Sequence, residues 1–257
     1  MKCCSYIALA ALVLALPGLT LFCGCSAPVP ESGARAAIVN QLYNAQPNPL
    51  FISRTTEALE AYGFEVDLYQ GDEVTVDFYR KLPAYGHKLI IFRVHSGLLS
   101  KEGEMAEGTW LFTDEPHSRT KYVNERLARR IVKARTAENK PWVFAVGSEF
   151  VTNSMECRFN DTVIIMMGCY CLYFDDLAQA FAKKGASVYF GWDSNVGLAY
   201  VDQATINLID NLCRKDMTMK EAVDKTMAEI GPDPDWGAQL RYFPTESGDK
   251  TIRELIK

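Results

Sequence analysis

Two stretches of this chain run almost without polar interruption, Lys88 to Val94 (KLIIFRV) and Val163 to Met167 (VIIMM). A strand with no polar face is covered on both sides, the condition of a parallel sheet with crossover helices packed against each surface. The flanking segments fit that frame. Ala36 to Leu42 reads as a first strand and Ile52 to Tyr62 as a helix, opened near Ser53 or Thr55 and stopped by Gly63. Glu65 to Tyr69 is a short second strand and Val76 to Leu82 a weak helix. Downstream come a strand at Trp142 to Val146, a helix at Asp175 to Lys184 ended by Gly185, and a strand at Ser187 to Trp192. Helices at Tyr200 to Arg214 and Met219 to Ile230, and an edge strand at Gln239 to Phe243, complete the pattern. Right-handed crossovers lay these out as a doubly wound, mostly parallel α/β sheet with helices on both faces. Between the two apolar runs lies a long loop starting at His95-Ser96-Gly97. It is expected to hold a small hairpin around Thr109 to Thr113 and a basic amphipathic helix, with a solvated face, from Thr120 to Arg135.

The N-terminus belongs to none of this. Lys2 precedes an apolar run from Ile7 to Phe22 that is too short to span a bilayer, which needs roughly 20 apolar residues, and that contains Pro17-Gly18. It reads as a signal peptide over residues 1–24. Phe22-Cys23-Gly24-Cys25 resembles a bacterial-type lipobox, which implies cleavage before Cys25, lipidation of its thiol and attachment of an exported protein to a membrane surface. Residues 25–35, with Pro28 and Pro30, then form a tether, and 36–257 a single domain. Acidic side chains outnumber basic ones, 32 to 27, for a net charge of −5, so nucleic acid is not an expected partner. There is no paired CxxC pattern of the zinc type, and neither a metal nor a cofactor is expected.

Chemistry gathers where the strands end. In open parallel sheets functional groups lie outside the carboxyl ends of the strands. His95 and Cys169 each follow directly on an apolar strand, so one crevice would hold a thiol and an imidazole able to take its proton. Gly97 and Gly168, lacking side chains, would let backbone N–H groups approach a substrate carbonyl and stabilise an oxyanion. Cys171, two residues on, is a rival nucleophile that would share a face with Cys169 if the strand extended that far. Cys157, Cys169, Cys171 and Cys213 could in principle pair as disulfides outside the cell.

These segments resemble a known family. VIIMMGCYC is similar to the nucleophile strand of the caspase-like cysteine peptidases, which include caspases, legumains, gingipains, separases and CHAT domains. KLIIFRVHSG resembles their strand that ends in the catalytic His. FDDLAQAFAKKGASVYFGW and VDQATINLIDNLCRKDMTMKEAV are similar to the elements that follow, so the likeness spans about Lys88 to Ile230. It implies a cysteine endopeptidase acting on a peptide or protein substrate, with His95 and Cys169 as its dyad. Among members that cut after basic residues a carboxylate lines the substrate pocket, and Asp193 is the candidate for that place. Two departures stand out: Ser96 intervenes between His95 and Gly97, and Tyr170-Cys171 replaces the Ser-Gly pair often found after the nucleophile. They leave room for a catalytically inactive binding or assembly module of the same fold. A solute-binding lipoprotein is a further alternative.

Overall fold

A computed structural model describes residues 33–99 and 107–256; the signal segment and Cys25 lie outside them. β1 (Arg35–Asn40) leads to α1 (Pro49–Tyr62), β2 (Glu65–Gln70), α2 (Val76–Lys81) and β3 (Leu89–Arg93). Next come β4 (Ser96–Leu98), β5 (Thr109–Pro116), α3 (Val123–Leu127), β6 (Ile131–Ala134), β7 (Val143–Val146) and α4 (Ser148–Asn153). The chain finishes with β8 (Thr162–Met166), α5 (Asp176–Lys183), β9 (Ala186–Trp192), α6 (Leu198–Ile209), α7 (Met219–Ile230), β10 (Leu240–Phe243) and α8 (Ile252–Leu255). α6 runs on through one π-helical turn at Asp210–Arg214.

Six strands form the main sheet in the order β2-β1-β3-β8-β9-β10. The first five are parallel, and β10 closes the edge antiparallel to β9. The doubly wound α/β fold is therefore present, and the apolar runs explain it. On β3, Leu89 and Ile91 face one layer while Ile90 and Phe92 face the other. Val163 and Ile165 of β8 likewise oppose Ile164 and Met166. The first layer is made by α1, α6, α7 and α8, the second by α2, α4 and α5. Helix ends are set locally. Asn48 Oδ1 accepts the Phe51 N–H at 3.0 Å, Pro49 opens α1, and Gly63 closes it at φ 110°.

The connection between His95 and Cys169 departs from expectation. Thr109 to Thr113 belongs to a longer strand in a second, four-stranded antiparallel sheet of order β4-β5-β7-β6. The expected helix over Thr120 to Arg135 is instead the five-residue α3 followed by β6. Val123, Leu127 and Ile131 have helical spacing, yet only Ile131 is buried, and Leu127 is 80% exposed. Pairing of β-branched Ile131 and Val132 with β7 overrides the apparent stripe, and Arg129 at φ 55° breaks the helix between them.

Candidate functional site

β3 and β8 are neighbours, with Phe92 opposite Met166. His95 and Cys169 each lie three residues beyond that pair, so both emerge at the carboxyl edge of the sheet. Strand order reverses between β1 and β3, which opens a crevice at the same edge. There a cavity of about 280 Å³ is lined by both residues together with Gln46, Met167, Val196 and Trp236. A second cavity, of about 400 Å³, shares His95 and Gln46 with the first and extends past Asp114, Arg135 and Lys140. The imidazole thus stands between two openings.

Gly168 permits this convergence. A Cβ there would sit 2.1 Å from Ser96 Oγ and 2.9 Å from the Val94 carbonyl, so only glycine lets the two strand exits touch. Ser96 Oγ donates to the Cys169 carbonyl at 2.6 Å and lies 3.1 Å from Cys171 Sγ. Tyr170 is left-handed at φ 59°, held by its N–H to the Ser194 carbonyl and its carbonyl to Thr109 Oγ1 at 2.8 Å. That reversal ends the strand geometry, so Cys169 and Cys171 do not share a face. Cys169 packs against the first layer, whereas Cys171 is buried in the second, where burial pushes its thiol up to about 12. The rival nucleophile is sealed from the cavity.

Cys169 Sγ accepts the Val196 N–H at 3.5 Å and points its own proton toward the Val196 carbonyl at 3.7 Å, just before the N-terminus of α6. Burial raises its pKa, opposed by that N–H. His95 moves the other way: burial, then the nearby Arg93 guanidinium, lowers its pKa. Both shifts favour the neutral pair, thiol plus imidazole. Gln41 Oε1 accepts the His95 backbone N–H at 3.0 Å, and the ring lies against Phe112. Among the described residues no hydrogen bond joins the His95 ring to Cys169 or to a carboxylate. Glu149 accepts from Asn153 within α4.

Gly97 sits in β4 opposite Trp110. Because the Phe112 N–H donates to the His95 carbonyl, Ser96 and Leu111 form the non-hydrogen-bonded pair, so the Gly97 N–H turns toward β5 and the Ser96 N–H toward the open edge. Asp193 does not line the cavity. It pairs with Arg241 at 2.7 Å and accepts the Gln239 N–H at 2.8 Å. His87 lies at the opposite end of β3 and contacts Asp67 at 2.8 Å. Cys157, Cys169, Cys171 and Cys213 are all free thiols. No group of His, Cys, Asp or Glu among the described residues is arranged to hold a metal ion, and no described helix is long and apolar enough to cross a membrane.

Several site residues escape a sequence reading. Arg93, 1% exposed, forms the cavity floor: its guanidinium grips both Asp202 oxygens at 2.8 and 2.9 Å, and also reaches Asn40 Oδ1 and the Gln46 carbonyl. An arginine inside KLIIFRV was the available signal. Asp233 accepts the N–H groups of Gly197, Asp235 and Trp236, which fixes the loop carrying Trp236 over the cavity. No protein-family model and no curated protein matches this chain, so its functional reading rests on the geometry of this site.

Proposed function

We propose that the chain is a cysteine endopeptidase of the caspase-like type, exported and held at a membrane surface by a lipid on Cys25. The observation that supports it most is the convergence of Cys169 and His95, from neighbouring strands, on one cavity at the switch point of the sheet. The openings on either side of His95 give a polypeptide room to continue past the cut. Cys169 Sγ attacks the substrate carbonyl as His95 takes the thiol proton, and the carbonyl oxygen becomes an oxyanion. The Ser96 N–H, facing the open edge of β4 beside the cavity, can donate to it, whereas the Gly97 N–H turns toward β5. His95 returns the proton to the departing amine, leaving an acyl-enzyme. Water, deprotonated by His95, then releases the acid and regenerates the thiol.

The full chain should cleave members of a fluorogenic peptide library. Cys169→Ser and His95→Ala should each lower kcat/KM by at least about a hundredfold, and Cys171→Ser should leave turnover in place. A binding module of the same fold is the second reading, favoured by the hydrogen bonding of the Cys169 sulfur to Val196 instead of His95. It prevails if no peptide is cut and His95→Ala does not change the alkylation rate of Cys169. For the tether, Cys25→Ala should move the protein from the membrane to the soluble fraction and abolish incorporation of labelled palmitate.

A further inference from the structure

We infer that the cavity beside Cys169 receives the side chain of the residue whose carbonyl is attacked, and that this residue is large, apolar and uncharged. The inference rests on the peptidase reading above and adds its substrate class. A side chain one bond from the attacked carbonyl carbon must lie within a few ångströms of the sulfur, and the 280 Å³ cavity adjoins that sulfur. Its apolar walls are Leu42, Met167, Val196, Leu198, Val201 and Trp236, with Gln46 and Ser96 as uncharged polar neighbours. Trp236 is 50% exposed and held in place through Asp233, leaving ring surface for a substrate to cover.

Charge is absent from this cavity in effect, though not in composition. Arg93 reaches it, but Asp202 pairs its charge through both oxygens, and with Asn40 Oδ1 and the Gln46 carbonyl four of its five N–H donors are taken. Asp202, itself 4% exposed, also accepts from Asn48 at 2.8 Å. An acidic side chain would have to compete with Asp202 for the Arg93 charge. A basic one would need a carboxylate in the wall, yet neither Asp233, which holds three backbone N–H groups, nor Asp193, paired with Arg241, lines the cavity. Either charge would be stripped of water without a partner, a far larger loss than the apolar contact could return.

The test compares peptides identical except for Leu, Met, Phe, Asn, Asp, Lys or Arg before the cut, using the purified full chain. Leu, Met or Phe should exceed every charged residue and Asn by at least about tenfold in kcat/KM. Leu198→Asp puts a carboxylate in the cavity wall, in the first turn of α6 where the helix dipole favours an acid. It should depress turnover after Leu and raise turnover after Arg. Alkylation of Cys169 by iodoacetamide does not need a side chain seated in the cavity and reports the dyad separately. A preference for Asp, Asn, Lys or Arg with His95-dependent alkylation intact overturns the apolar assignment alone. An unchanged ranking in Leu198→Asp overturns the cavity as the subsite. Absence of cleavage, with alkylation indifferent to His95→Ala, overturns the peptidase reading and this inference with it.

Discussion

At position 168 a hydrogen atom is all that fits between the exits of β3 and β8, and Ser96 supplies two of the three atoms that a methyl would strike. Gly168→Ala should therefore cost about 1–3 kcal/mol in denaturant unfolding, as overpacking of a tight contact does. Ser96→Gly alone loses the hydrogen bond to Cys169, about 1 kcal/mol. The double variant should be less destabilised than the two costs added, because the clash and its partner vanish together. Rescue would stay partial, since the Val94 carbonyl still lies 2.9 Å from the new methyl. Full additivity would mean that Ser96 is not what Gly168 accommodates. A second consequence concerns the thiol. With its pKa raised by burial, Cys169 is protonated at neutral pH, so its alkylation rate should climb with a midpoint above the ordinary thiol value of 9.0. A midpoint at 9.0 would show that burial does not shift the thiol, and only one below neutral pH would indicate a preformed thiolate. His95 and Cys169 were legible because each directly follows an apolar strand. Ser96 and Tyr170 were legible only as departures from a pattern. Their roles lie in hydrogen bonds to residues dozens of positions away, which local sequence does not encode.

Elements were legible in proportion to how far local pattern and tertiary environment agree. β3 and β8 are buried on both faces, and their composition says so directly. β6 is half-buried and short, and its apolar residues continue the helical spacing of α3, so pattern alone misassigns it; pairing with β7 decides. The tie between β3 and α6 was hidden for another reason, since Arg93 and Asp202 are charged residues that sequence logic places at the surface. Their pairing joins strand and helix under the cavity, and Asn48 links both to the start of α1. Removing one partner leaves an uncompensated buried charge. Asp202→Ala or Arg93→Ala should thus lose about 3–5 kcal/mol in urea unfolding. Replacing both, as Arg93→Met with Asp202→Leu, should recover much of that loss. A double variant no more stable than the worse single one would show that the pair stabilises the fold beyond mutual neutralisation.

For the whole molecule, the histidines couple folding to pH. His87 is 2% exposed at the amino end of the sheet, and His95 lines the cavity at the carboxyl end. Burial is the leading cause that lowers both below the ordinary value of 6.5, with the Asp67 contact partly opposing it at His87 and the Arg93 guanidinium adding to it at His95. The third histidine, His117, is lowered from a more open position by partial burial first and then by Arg126, Lys133 and Arg119. Below pH 6.5 the unfolded chain binds protons that the folded chain still refuses, so stability rises with pH across that window and levels off above it. Midpoint temperatures measured from pH 7.5 down to 5.0 should fall, and His87→Gln and His95→Gln should each flatten part of the slope. The same lowering sets catalysis on the peptidase reading. His95 must be neutral to accept the thiol proton, so kcat/KM should drop on acidification with a midpoint below 6.5, and His87→Gln should leave that midpoint in place. A stability slope without a matching acid limb in kcat/KM would place the coupling at His87 and His117. A limb that persists in His95→Ala would remove the imidazole from the chemistry.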